Sequence, residues 1–140
     1  MQLFRTSTRY SFHFMREILC IFFGGGVGSI CRYALGAWLA SPTGHPWPWG
    51  TYAANVLGSF SIGLLMSYFC GKPGGWWQLL LITGFCGGFT TFSTLSNETF
   101  LLLRQGLYLW SLAYAVLSLL SGLCSVALGF ALGNLVWKTV

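Results

Sequence analysis

The chain has 140 residues, 55% of them hydrophobic and 6% charged, with a mean hydropathy of +0.69. Soluble globular domains carry about 25% charged residues, so this composition excludes that class and points to an integral membrane protein. The formal charge of +5 reflects scarce acids, Glu17 and Glu98 alone, and not a basic cluster with interleaved aromatics, so no nucleic-acid partner is expected.

Residues 1–15 form an arm holding Arg5 and Arg9 with Ser, Thr and aromatics and no acid. That composition fits a poorly ordered terminus or one in loose interfacial contact. Met15, just ahead of the first apolar run, offers a second start position. Residues 16–140 read as a single all-α transmembrane domain of four helices, at about 20 residues per span. The first span covers residues 18–40 and the second 49–69. The loop between them, with Pro42, Gly44, Pro46 and Pro48, cannot stay helical for long. Gly71-Lys72-Pro73-Gly74-Gly75 forms a turn, Trp76 and Trp77 open the third span at the interface, and that span runs to residue 103. Arg104-Gln105-Gly106 leads into the fourth, residues 107–137. Arg32 interrupts the first apolar run and more spans follow, which argues against a cleaved signal peptide.

Four spans put both termini on one side, with Arg5, Arg9, Arg16, Lys72 and Lys138, against Arg32 and Arg104 on the other. Without the arm the bias in positive charge nearly vanishes, which permits insertion in both orientations and an antiparallel dimer. The cysteines Cys20, Cys31, Cys70, Cys86 and Cys124 are scattered through apolar segments with no C-x-x-C pair, so neither a disulfide framework nor a zinc site is expected. His13 and His45 have no nucleophile or carboxylate at useful spacing, so the chain does not read as an enzyme.

The third span is the informative one. Gly84-Phe85-Cys86-Gly87-Gly88-Phe89-Thr90-Thr91-Phe92-Ser93-Thr94 plants glycines and a hydroxyl run inside an apolar stretch, and the expectation is a helix broken by those glycines. Backbone groups released inside a membrane are tolerated where protein or a water-filled path satisfies them, and broken helices there coordinate ions. In the second span Asn55, Ser59, Gly63 and Ser67 recur every four residues and build one face. Small residues packing between helices give the same stripe, but an intramembrane amide is expensive, so Asn55 is assigned to a pore. The Gly24/Gly28 and Gly129/Gly133 pairs read as helix contacts. Arg32 is either a vestibule charge or a residue snorkelling from a helix end. Glu98 reads as a hydrogen-bonding partner rather than a proton carrier, since no second intramembrane acid accompanies it.

Three patterns occur in order: Gly24-Gly25-Gly26-Val27-Gly28-Ser29-Ile30-Cys31-Arg32-Tyr33, Trp49-Gly50-Thr51-Tyr52-Ala53-Ala54-Asn55-Val56-Leu57-Gly58-Ser59, and Thr90-Thr91-Phe92-Ser93-Thr94 followed by Glu98. Together they resemble the CrcB/Fluc family of small fluoride channels, from about residue 17 onward. The resemblance implies a fluoride-selective channel that exports the ion passively, as a multi-pass protein of the inner membrane. It also implies an antiparallel, dual-topology homodimer in the lipid bilayer, with two pores and a sodium ion at its centre held by backbone carbonyls that map onto Gly87 and Thr90. Phe92 matches a pore-edging ring. Asn55, Ser93, Thr94, Ser118 and Tyr114 match the polar track, Arg32 a vestibule arginine and Glu98 an acidic position after the break. Where many members have a second phenylalanine, this chain has Leu95.

The residue types suit the ion. Fluoride is small and tightly hydrated, so a path must replace its water with amide and hydroxyl donors, and a ring such as Phe92 can face it with a positive edge. The alternative is a small dual-topology, proton-coupled multidrug exporter. That mechanism needs an embedded carboxylate, and the first span has none beyond terminal Glu17. A subunit that only packs against other helices would leave the broken segment and Asn55 without a task.

Overall fold

The computed structural model describes the backbone of residues 2–40, 46–72 and 74–137, with side chains from residue 13 onward. In chain order it contains α1 (Gln2–Trp38), α2 (Trp49–Phe69), α3 (Gly75–Gln78), a π-helical segment (Leu79–Cys86), α4 (Gly87–Phe89), α5 (Phe92–Arg104) and α6 (Tyr108–Trp137). No strand occurs among the described residues. Among the same residues four stretches are long and apolar enough to cross a membrane: His13–Trp38, Trp49–Phe69, Gly75–Arg104 and Tyr108–Trp137. The all-α, four-span architecture with an interrupted third span is therefore the one expected. The second span keeps its sequence bounds, whereas the helix carrying the first continues back to Gln2, because no Pro or Gly precedes Gly24 to stop it. Of the arm over residues 1–15, side chains up to residue 12 lie outside the described residues, as does His45 in the first loop.

The helices meet through glycine. A lipid tail is as apolar as a leucine, so helix association in a membrane depends on close packing of small residues. A Cβ on Gly24 would run into the Leu80 carbonyl, and one on Gly28 into the Phe85 carbonyl, which seats α1 against the π-helical segment. The α2 and α6 helices pack most extensively, and there Gly63 faces the Val126 carbonyl and Gly129 the Phe60 carbonyl. Both glycine pairs are thus helix contacts. The polar stripe of α2 divides by height: Ser67 is buried and donates to Asn134 Oδ1 at 2.9 Å, whereas Asn55 and Ser59 border a groove. The five cysteines are free thiols, with Cys86 fully buried.

The interruption of the third span is not where the glycines stand. Gly84, Gly87 and Gly88 stay helical, and the chain leaves the helix at Thr90 (φ −84°, ψ 157°) and Thr91 (φ −153°, ψ 119°). Two of these glycines serve close approach instead: Gly84 lies against Gly24, and a Cβ on Gly88 would strike the Gly25 carbonyl. Two consecutive β-branched residues adopt extended backbone readily, and a partner on α2 holds them in it.

Candidate functional site

That partner is Asn55. Its Nδ2 donates to the Thr91 carbonyl at 3.1 Å, and its Oδ1 accepts from the Thr91 N–H at 2.8 Å. A side-chain amide carries the same donor and acceptor as a peptide group, so Asn55 replaces the helical bonds that Thr91 gives up. Nδ2 has two hydrogens, and this bond uses one.

The flanking residues tidy the remaining ends. Thr90 closes the preceding turn, its N–H and Oγ1 both donating to the Cys86 carbonyl at 2.9 and 3.0 Å. Thr91 caps α5: its Oγ1 accepts from the Thr94 N–H at 3.2 Å and donates to Thr94 Oγ1 at 3.0 Å, with Ser93 Oγ at 3.3 Å. A capping hydroxyl of this kind stabilises a helix start by about 1 kcal/mol. From α1, Arg32 Nε and Ser29 Oγ both donate to the Gly88 carbonyl, at 3.1 and 3.4 Å.

Among the described residues, no hydrogen bond reaches the carbonyl of Gly87 or of Thr90 from beyond the break. Nor does any group of three His, Cys, Asp or Glu side chains exist there that could hold a metal. Hard cations take oxygen ligands, and the C-terminal end of a helical segment carries partial negative charge. The uncapped carbonyls of Gly87, which opens α4, and of Thr90, which follows it, are oxygen ligands of the kind a sodium ion takes, whereas the side chains of the described residues offer no metal site.

Beside the break lies a groove of about 680 Å³ between α2, α5 and α6. Asn55, Ser59, Thr90, Thr91, Phe92, Leu95, Ser96, Thr99 and Ser118 border it together with apolar residues. Ser118 Oγ is buried there without a hydrogen-bond partner among the described residues. A buried hydroxyl left unpaired costs about 1 to 3 kcal/mol, so this atom is a donor waiting for an acceptor. Phe92 is 82% exposed, its ring held out at the first turn of α5.

Glu98 sits apart from the groove and is fully engaged. Thr51 Oγ1 donates to Oε1 at 2.8 Å and the Tyr114 hydroxyl to Oε2 at 2.7 Å, so one carboxylate ties α2, α5 and α6 together. Trp47 lies edge-on to Tyr114 at 5.3 Å between ring centroids, and Tyr114 is completely buried.

Of the residues singled out from the sequence, Asn55, Thr90, Phe92 and Ser118 come together at the groove. Ser93 and Thr94 stand at the α5 cap, Tyr114 on Glu98, Arg32 on Gly88, and Gly87 at the start of α4. Sequence reasoning passed over Thr91, although it stands inside the hydroxyl run. It also passed over Ser29 and Thr51, whose roles depend on partners 59 and 47 residues away.

Comparison with known proteins agrees with this architecture. Residues 19–130 match the family model described as CrcB-like protein, Camphor Resistance (CrcB). A protein of Leptospira interrogans named fluoride-specific ion channel FluC is 46% identical over 127 residues, covering 89% of this chain and 95% of the relative. Proteins of the same name from Bacteroides fragilis and Chloroflexus aurantiacus are 45% and 41% identical over 125 residues, each covering 86% of this chain and 98% and 97% of the relatives. With the family model spanning most of the four-helix domain and relatives matched nearly end to end, the chain belongs to the CrcB-like family.

Proposed function

We propose that this chain forms a fluoride-selective channel of the inner membrane that lets fluoride leave the cytoplasm down its gradient. The observation that carries this reading is the groove beside the Thr90/Thr91 break, where the buried, unpartnered Ser118 hydroxyl faces the same space as Asn55 and Phe92. The remaining Nδ2–H of Asn55 and the Ser118 hydroxyl are donors that can stand in for water around a small anion. The Phe92 ring offers its positive edge, and the start of α5 adds the positive end of a helix. None of these is a fixed full charge, so each holds the ion weakly, and weak multi-site binding is what conduction requires.

The working unit in this reading is an antiparallel homodimer. A single chain leaves Phe92 exposed and, among the described residues, gives the Gly87 and Thr90 carbonyls no partner, and exposed carbonyls in hydrocarbon cost several kcal/mol. A sodium ion bound by those carbonyls would supply a fixed positive charge where two breaks meet. Chemical crosslinking should give a dimer, and an epitope tag at the C-terminus should be reached by antibody from both faces of the membrane. A tag confined to one face would overturn the dual topology.

The exporter alternative is disfavoured by Glu98. A coupling carboxylate must exchange a proton for a substrate, and both Glu98 oxygens already accept hydrogen bonds from Tyr114 and Thr51. The deciding experiment is fluoride-electrode efflux from proteoliposomes. Passive conduction is electrogenic, so fluoride should leave only when a potassium ionophore compensates charge, and chloride should not follow. Efflux that tracks a proton gradient and ignores the ionophore would make the protein a transporter.

A further inference from the structure

A second groove, of about 540 Å³, opens where α2 ends, α3 begins and α6 ends, at the opposite end of the third span from Arg104. Its water-facing rim carries Lys72 with the rings of Tyr68, Trp77 and Trp137, and Leu65 and Leu81 line it deeper in the span. The rim is built by the turn after α2. Gly71 takes φ +75°, a left-handed conformation that reverses the chain, and the Lys72 N–H then donates to the Phe69 carbonyl at 3.0 Å. This folds Lys72 back so that its ammonium stands 4.5 Å from the centre of the Tyr68 ring, which itself lies 5.1 Å from Trp137.

Lys72 is the only lining residue that is charged at neutral pH, and among the described residues it has no carboxylate partner; the one such ion pair is His13 with Glu17. An ammonium has three donors and no acceptor, and the face of Tyr68 occupies one side of it. Tryptophan and tyrosine settle at the headgroup level of a bilayer, so this rim lies where lipid phosphates lie. Leu65 is one helical turn, about 6 Å, below Phe69, the depth at which acyl chains begin.

We infer that this groove holds an anionic glycerophospholipid of the surrounding bilayer, its phosphate on the Lys72 ammonium and the start of an acyl chain along Leu65 and Leu81. Charge complementarity selects the anionic class, because a choline headgroup brings its own cation to the phosphate. Native mass spectrometry of the purified full chain tests this, with equal amounts of phosphatidylglycerol and phosphatidylcholine of identical chains. Phosphatidylglycerol should be retained about five-fold over phosphatidylcholine, the discrimination expected of one basic residue at a membrane surface. Lys72→Gln should bring the ratio to about one, whereas Arg104→Gln, at the far end of the span, should leave it intact. Glycerol phosphate without chains should displace nothing. Equal retention of the two lipids, a preference that survives Lys72→Gln, or displacement by glycerol phosphate would each overturn the proposal.

Discussion

Phe92→Ile is expected to lower fluoride flux by roughly tenfold or more while leaving the protein assembled. The ring stands at the first turn of α5, 82% exposed and bordering the groove, so its loss removes little packing. Isoleucine keeps much of the apolar volume and removes the quadrupole whose edge can face an anion. A tenfold drop corresponds to about 1.4 kcal/mol of lost stabilisation along the path, within the range of a single aromatic contact. Leu95, one helical turn further on and bordering the same groove, contributes no ring, so the aromatic edge at the start of α5 is that of Phe92, and the other ring lining the groove, Phe100, stands about two turns further along. Leu95→Phe should accordingly hold or modestly raise flux, as long as the larger side chain extends into the groove and avoids the overpacking cost of about 1 to 3 kcal/mol. Electrode-measured efflux on both variants, with assembly checked by gel filtration, decides this. Normal flux through Phe92→Ile would remove the aromatic-edge mechanism from this protein.

Asn55→Asp should be more damaging still, because Asn55 acts twice. Its amide closes the break by bonding both the N–H and the carbonyl of Thr91, at 2.8 and 3.1 Å, and in the proposed channel its second N–H is a donor to the ion in the groove that Asn55 borders. Aspartate keeps the acceptor toward the Thr91 N–H but sets a carboxylate oxygen against the Thr91 carbonyl, and it places negative charge beside an anion path. Leaving that part-buried carbonyl unpaired costs up to about 1 to 3 kcal/mol, the range for a fully buried group. The expected result is flux near the background of protein-free vesicles at neutral pH, with a lowered unfolding temperature in detergent. Thermal denaturation followed by gel filtration reads the structural part, and efflux the functional part. An assembled Asn55→Asp protein that conducts normally would take Asn55 out of the pathway.

Much of this molecule is legible in one dimension. Four apolar runs of spanning length, the turn chemistry between them and the tryptophans at their ends dictate a four-helix membrane domain, because the bilayer leaves a backbone few ways to satisfy itself. The Gly-x-x-x-Gly pairs in the first and fourth spans announce their helix contacts through local spacing alone. The hydroxyl run in the third span marks the stretch where the proposed site lies. The sequence also places Asn55 within an apolar span, where an amide demands an explanation.

What the sequence by itself could not decide is which residues leave the helix and what each polar group holds. The glycines at 84, 87 and 88 look like breakers, yet all three stay helical, the close approach of Gly24 and Gly25 makes Gly84 and Gly88 packing residues, and the break falls on Thr90 and Thr91. Arg32 reads as a charge for a vestibule or a lipid interface, and it donates to the Gly88 carbonyl. Glu98, already read as a hydrogen-bonding partner, gains its identity as a tie among three helices only when Thr51 and Tyr114 arrive from 47 residues before and 16 after. The physical reason is common to all three. Helix and turn propensities are set by neighbours within about four residues, whereas the bonds that fix this site run between helices, where an amide from α2 replaces the helical hydrogen bonds of a threonine 36 residues away.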